Sequence, residues 1–422
     1  MISYKRSQQI LKKAPIKIGD EIINCENALN RVLSLNIFSN YNYPAANNAA
    51  FDGFAVNSKD TKFLNKNSPQ KFRIIGSMIA GTKPITKKIK KFETVEIMTG
   101  GIVPKGFDTI IPIEQIVFYP NKDNPKYIIV DKRINKNQHV RFLGSDYKKN
   151  NLIIKKGTII HSNHILALKT LGIKKIKVKK KPNILFFSTG NEISNSESIP
   201  AWKVRNSNGP YIKSLNENFL FNFINGGILR DNHASIFKNQ INKMLKSKID
   251  IIITSGAISA GKFDFIPSIV KTFKLSNYFK GVEIKPGKPV LFAKIKDKAI
   301  FGLPGNPIST AACYRFFVNP YLLNILGVET ERPIKAILKN TYFKKKNMTH
   351  FVKAKLSTSS SGTLHLEALK GQDSFRIKPF VQSNIWAAFP AGKQSFKKGD
   401  IIDCFFQTIQ IQFNITFLLG VE

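Results

Sequence analysis

Three glycine-rich stretches in the second half of the chain each follow an apolar run: Ser188-Thr189-Gly190-Asn191-Glu192, Thr254-Ser255-Gly256-Ala257-Ile258-Ser259-Ala260-Gly261 and Gly302-Leu303-Pro304-Gly305-Asn306-Pro307. Glycine lets backbone approach a ligand closely, and free N–H groups at a helix start attract anions. The Asn306-Pro307 pair predicts an N-cap with proline at the first helical position. One such stretch would be an ordinary strand-to-helix turn; three together point to a phosphate-bearing ligand. None is a Walker A loop or a complete GxGxxG, which disfavours the standard nucleotide folds. Carboxylates accompany these turns: Glu192, Asp231 in GGILRDNH, and Asp264 in AGKFDF. Such hard oxygen donors suit Mg²⁺ bridging a phosphate. Finally, Lys285-Pro286-Gly287-Lys288-Pro289 sets two lysines on a turn stiffened by prolines. Both ammonium groups can then point one way, and an oxyanion is the natural guest.

No protein nucleophile is evident. The histidines (His139, His161, His164, His233, His350, His365) form no metal constellation, and neither a Ser-His-Asp nor a Cys-His arrangement is visible. Cys25, Cys313 and Cys404 lie far apart without CxxC spacing, which argues against a disulfide framework or zinc ribbon and fits a reducing compartment. Chemistry here must rest on electrostatics, metal and nucleophiles carried by the substrate.

The elements that must hold these residues follow from periodicity. NILFFSTG, DIIITSG and AIFGLPGNP are apolar strands separated by helical stretches, one of them around Tyr211–Phe223. That alternation predicts an α/β layer with a parallel-rich sheet. Before it, residues 27–38 read as a helix running into an extended segment, about 40 to 140 as short β-branched runs between turn clusters, and HSNHILALKTLGI as a helix. After it, residues 334–422 read as short alternating strands with a hairpin tip at Ser357–Gly362. The expected fold is multidomain α/β. It comprises a discontinuous N-terminal and linker domain (1–45 and 141–176), a β-rich module (46–140), a three-layer α/β domain (177–328) and a C-terminal β-domain (329–422). The 422 residues carry a formal charge of +39, but only 10 of the 66 cations are arginines and the lysines scatter along the whole chain. Lysine as default surface filler, with no specific nucleic-acid partner, is the expected reading. The N-terminus has cations without an apolar core for a secretory signal, and no stretch reaches the roughly 20 apolar residues of a membrane span. A cytoplasmic location is expected.

Taken in order, these segments resemble the molybdopterin molybdenumtransferase family, the MoeA and gephyrin E-domain type. NNAAFDGFAV is similar to the family's N-S-A-M-D-G-Y-A-V box, and IMTGGIVPKGFDTIIPIEQ to its T-G-A-P-V-P-x-G-A-D-x-V segment. VRFLGSDYKKN, FFSTGNEI, VRNSNGPYI, ITSGAISAGKFDF, EIKPGKPVLF and FGLPGNPIST supply the remaining matches. The resemblance implies insertion of molybdate into the dithiolene of adenylylated molybdopterin, with AMP released and Mg²⁺ present. It implies catalytic roles for Asp52, Thr99, Asp146, Glu192, Asp231, Asp264 and Lys285, with Glu192, Asp231 and Asp264 as metal ligands. Substrate would rest on Ser255, Gly256, Ser259, Gly261, Pro304, Gly305, Asn306 and Pro307. Lys285, Lys288, Lys353 and Ser374 would hold molybdate. Lys353 stands where the family usually has arginine, and Gly281 where some relatives carry a lysine. A homodimer is implied, as are contacts with the adenylyltransferase that supplies the substrate and the molybdoenzymes that accept the product. The alternatives are an adenylyltransferase-like enzyme, which shares the α/β domain alone, and a non-enzymatic scaffold.

Overall fold

The computed structural model describes residues 1–216, 220–258, 264–345 and 347–408. They fall into two compact units. One comprises Met1–Leu35, Lys156–Ile165 and the chain from Lys175; the other comprises Asn36–Lys155 and Leu166–Lys174.

The first unit is built on a six-stranded sheet. Its strands are β1 (Asn183–Thr189), β2 (Asn222–Leu229), β3 (Ile251–Ser255), β4 (Asn277–Lys280), β5 (Leu291–Ile295) and β6 (Lys298–Leu303), in spatial order β2-β1-β3-β6-β5-β4. β2, β1, β3 and β6 run parallel, and β5 and β4 extend the sheet antiparallel. The reason lies in the residues. Ile184, Phe186, Ile251 and Ile253 face one side, with α1 (Asn208–Asn216), α4 (Pro307–Cys313) and α5 (Asn319–Leu326) supplying Ile212, Ile308 and Tyr321. Leu185, Phe187 and Ile252 face the other, against Phe237 and Ile241 of α2 (Ala234–Leu245) and Ile266 of α3 (Ile266–Lys271). Strands covered on both faces need apolar residues at every position, not every second one. The registers Ser188↔Ser255 and Ser255↔Leu303 bring the carboxyl ends of β1, β3 and β6 to one edge, so the three glycine turns are neighbours.

The C-terminal strands β7 (Ile334–Leu338), β8 (Thr349–Thr358), β9 (Leu364–Ala368), β10 (Ile385–Phe389) and β11 (Ile401–Phe406) close on themselves in the order β8-β9-β7-β11-β10, because β10 also pairs with β8. Closure removes exposed edges around a core of Leu338, Val352, Leu366, Ile385, Phe389 and Ile402. The short strand Ile284–Lys285 adds to β8 through Lys285↔His350. At the chain start, the helix Tyr4–Lys13 is capped by the Ser3 hydroxyl, which accepts the Arg6 N–H at 3.2 Å. It is tied to later residues: Gln8 donates to the Phe316 carbonyl (3.0 Å), and Tyr321 Oη to the Ala14 carbonyl (3.0 Å).

The second unit holds another six-stranded sheet, in the order Thr109–Pro112, Gly53–Val56, Glu93–Ile97, Gln70–Met78, Tyr127–Val130, Val117–Tyr119. The sequence HSNHILALKTLGI forms the helix Ser162–Thr170.

Two sequence expectations need correction. Residues 27–38 form no helix beyond a single 3-10 turn at Cys25–Asn27. Their backbone donors go to distant partners instead: Asn30 to the Ile160 carbonyl, Leu33 to Thr158, Ser34 to Lys177. Long-range pairing overrides the local helical pattern. The helix expected around Tyr211–Phe223 is α1, which is assigned to residue 216, while Asn222 and Phe223 open β2 beside β1.

Candidate active site

The three glycine turns enclose one pocket of about 550 Å³, lined by Ser188 to Gly190, Glu192, Ser255 to Ile258 and Pro304 to Pro307, with Asp231 and Asp264. Its walls are fixed by short polar contacts. Thr189 Oγ1 donates to the Ser255 carbonyl (2.9 Å), which locks the β1 turn to the β3 turn. Asn208 Nδ2 donates to Ser255 Oγ (2.6 Å) and the Gly305 carbonyl (2.8 Å), which links the β3 turn to the β6 turn. Ser188 Oγ donates to Asn206 Oδ1 at 2.7 Å. The loop bearing Glu192 is strapped by Arg230, whose Nη1 donates to the carbonyls of Gly190 (3.1 Å), Asn191 (3.1 Å) and Ile193 (2.8 Å). Asn191 Oδ1 in turn accepts the Asp231 N–H at 3.2 Å. Gly190 has φ +133°, a backbone conformation that residues with a Cβ rarely adopt, so this turn favours glycine.

Glu192, Asp231 and Asp264 therefore share one pocket. They do not converge into a ligand cluster; among the described residues no group of three His, Cys, Asp or Glu side chains does. Ser255, Gly256, Pro304, Gly305, Asn306 and Pro307 all line the pocket, whereas Ser259 and Gly261 lie outside the described residues. Asn306 sits at the N-cap of α4 with Pro307 following, as its sequence predicts, but its side chain makes no cap bond. Its Nδ2 donates instead to Ser374 Oγ, 3.1 Å away on the loop after β9.

Pro289 reaches the pocket wall, but neither Lys285 nor Lys288 lines it; both are exposed on the turn beside it. The turn is stiff for identifiable reasons. Gly287 has φ +99°, and a Cβ there would collide with Cys313 Sγ. Val290 N–H donates to the Gly287 carbonyl (3.1 Å), and Val282 N–H to that of Lys288 (2.9 Å). Cys313 is fully buried, and burial pushes its thiol up, so it supports the turn as a neutral group.

Lys353 corrects the sequence reading. It is 1% exposed, and its ammonium donates to the carbonyls of Gly371 (2.9 Å), Asp373 (3.1 Å) and Arg376 (3.2 Å). An ammonium has three hydrogens, so none is left for molybdate. Burial pushes its pKa down to about 8, with Asp373 raising it and Arg376 lowering it further, so the group still carries its full set of donors at neutral pH.

Asp52, Thr99 and Asp146 belong to the second unit. Gly53 pairs with Ile97, so the residue before one strand meets the turn after its antiparallel neighbour. Asp52 Oδ1 accepts the Thr99 N–H (2.6 Å) and hydroxyl (2.7 Å), and these two bonds, the backbone one first, hold its carboxyl below the usual range. Asp146 is exposed, and its N–H donates to the Tyr43 carbonyl at 3.1 Å.

Sequence reasoning assigned no role to Arg230, Asn206 or Asn208. All three stood inside quoted segments, GGILRDNH and VRNSNGPYI, but which carbonyls a side chain reaches cannot be read from spacing. His350, one of the histidines that form no metal constellation, is 5% exposed beside Lys285; Nδ1 lies 3.2 Å from Tyr342 Oη, and Nε2 has no hydrogen-bond partner among the described residues. Burial, then Lys344 and Lys285, push it down to about 4. The folded value lies below the unfolded one, so the unfolded chain binds the proton first as pH falls. This contribution is complete above pH 6.5 and lost as pH drops towards 4, on the order of 3 kcal/mol. Urea unfolding at pH 7 and 4.5 should show a larger acid loss in wild type than in His350→Gln; equal losses would sink the assignment.

Comparison with known proteins agrees with this architecture. Residues 2–172 match the MoeA N-terminal region (domain I and II), residues 186–324 a probable molybdopterin binding domain, and residues 335–405 the MoeA C-terminal region (domain IV). The molybdopterin molybdenumtransferase of Staphylococcus aureus (strain COL) is 30% identical over 414 residues, covering 96% of each chain. That of Staphylococcus epidermidis (strain ATCC 35984) is 28% identical over 406 residues, covering 95% of this chain and 94% of its own. The molybdopterin biosynthesis moeA protein of Pyrococcus horikoshii OT3 superposes with a TM-score of 0.81 at 25% identity, over 96% of this chain and 100% of that one. The chain belongs to the molybdopterin molybdenumtransferase family and so to the transferases of molybdenum cofactor biosynthesis.

Proposed function

We propose that this protein inserts molybdate into adenylylated molybdopterin and releases AMP. The observation that carries this reading is the single pocket in which three strand-end turns, rich in glycine and backbone N–H groups, meet three carboxylates. The turns suit a substrate bearing phosphate, and Asn208 fixes two of them in one position. The dithiolene sulfurs belong to the substrate, which accounts for a sequence with no visible Ser-His-Asp or Cys-His arrangement. Family matches on both sides of the α/β domain favour this over an adenylyltransferase-like activity, which would need that domain alone.

Mg²⁺ fits the donor set. Glu192, Asp231 and Asp264 offer hard oxygens, and a Mg²⁺ ion is typically held by one or two carboxylates plus substrate phosphates, not by an all-protein cage. Bound there, it would neutralise phosphate charge. Asp52, Thr99, Asp146 and Lys285 complete the proposed catalytic set, with Lys285, Lys288 and Ser374 on molybdate. A homodimer is proposed, as are contacts with the supplying adenylyltransferase and with acceptor molybdoenzymes. Among the described residues no helix is long and apolar enough to cross a membrane.

Asp264→Ala should fold but lose about 10- to 100-fold in molybdate-dependent AMP release. Normal turnover by that variant at limiting Mg²⁺ removes Asp264 from the site. Binding can be followed separately. Of the two tryptophans, Trp386 is buried and Trp202 is 77% exposed. Trp202 precedes Lys203, whose Nζ donates to the Asn191 carbonyl of the pocket loop (2.5 Å).

A further inference from the structure

Strand β9 stops at Ala368, paired with Ala354 of β8. One residue earlier along β8, at Lys353, the ladder does not end. The side-chain amide of Gln372 takes the place of the missing strand residue: Lys353 N–H donates to Gln372 Oε1 (3.0 Å), and Gln372 Nε2 donates back to the Lys353 carbonyl (2.9 Å) and to that of Leu369 (2.7 Å). Leu369 N–H also donates to the Lys353 carbonyl, at 3.1 Å. The Lys353 ammonium then reaches beyond Gln372 and ties the Gly371, Asp373 and Arg376 carbonyls to one point. These three would otherwise be hard to orient, since Gly371 sits at φ +76° and Asp373 and Arg376 are half-exposed and joined to each other, Nε to Oδ2 at 3.1 Å. Ser374 lies in the middle of the loop so gathered, and its hydroxyl meets Asn306 in the pocket wall.

We propose that Lys353 and Gln372 form a clasp whose purpose is to position the 371–376 loop, and with it Ser374, against Asn306. Lys353 is on this account a positioning residue. It acts through Ser374 and does not touch the oxyanion. The catalytic part of the proposal rests on the molybdate-insertion reading given above; the structural part does not.

The test separates the two. In Lys353→Met and in Gln372→Ala, the loop amides at 371–376 should exchange with deuterium faster than in wild type, with no ligand present. Ser374→Ala should leave that exchange unchanged. In turnover, each of the three variants should raise the molybdate concentration for half-maximal AMP release by roughly 10-fold, with kcat at saturating molybdate near wild type. The Lys353→Met/Ser374→Ala double variant should be no worse than either single one, because both changes remove the same contact. Additive losses with unchanged loop exchange would overturn the clasp and return Lys353 to the oxyanion. Equal falls in kcat and in thermal stability, without a molybdate effect, would also overturn it. If Lys353→Met does not fold, Gln372→Ala carries the same two readouts. If wild type shows no molybdate-saturable turnover, the functional reading fails, and the exchange measurement still decides the clasp.

Discussion

Arg315→Met is expected to lower the unfolding free energy by about 3–5 kcal/mol, the usual effect of removing one partner of a buried ion pair. Arg315 is 2% exposed and grips Glu331, 7% exposed, with both terminal nitrogens. Its Nε also donates to the Phe406 carbonyl at 2.7 Å, and the guanidinium lies 5.6 Å from the Phe316 ring and 5.5 Å from that of Phe405. Loss of the cation would strand a carboxylate among aromatic rings and a carbonyl at the end of β11. The position adds weight, because Tyr314–Val318 is a fully buried π-helical turn between α4 and α5. Urea unfolding at fixed pH, with an unchanged slope, measures the effect. Arg315→Met/Glu331→Met should recover much of the loss, since the stranded carboxylate is then gone. A single-variant loss under about 1 kcal/mol would show that the pair is not a stabilising element.

Lys288→Ala should raise the molybdate concentration needed for half-maximal insertion by at least about tenfold and leave pterin-nucleotide affinity nearly unchanged. Charge-assisted contacts contribute roughly 1.5–3 kcal/mol each. Lys288 is exposed and free to meet a dianion, on a turn that Gly287 and Cys313 keep rigid, so little backbone needs ordering on binding. The pterin nucleotide is expected to rest mainly on the glycine turns and the carboxylates. Titrating molybdate and substrate separately decides the matter. If substrate affinity collapses while the molybdate requirement stays the same, these lysines hold phosphate instead.

The α/β sheet was legible because its strands are buried on both faces, and unbroken runs such as NILFFST and IIITS admit few other readings. The glycine turns followed, since they end those strands. Residues 27–38 were misread because Leu33 and Ser34 find partners at Thr158 and Lys177, which no local window contains. The Asp52–Thr99 pair spans 47 positions and came from resemblance, with antiparallel register as its physical cause. Lys353 shows another limit. Composition gives a lysine's charge but not the fate of its hydrogens, and here three carbonyls take them all.

The placement of Asn36–Lys155 between two parts of the other unit has a consequence for how the chain is born. Leu33 N–H meets the Thr158 carbonyl, and Gly157 N–H that of Leu33, so the two ends of the first unit's chain that flank the inserted segment are tied to each other. The helix Tyr4–Lys13 leaves the ribosome well before Phe316, whose carbonyl accepts from Gln8 across 308 positions. At ordinary elongation rates that gap is on the order of 15–60 s. A ten-residue helix is marginal on its own for that interval. The inserted sheet, whose strands all lie between residues 53 and 130, has every pairing partner at hand well before then. The residues of this helix are thus expected to be among the last to settle, and a nascent chain stalled before Phe316 should leave them open to protease while the inserted sheet resists.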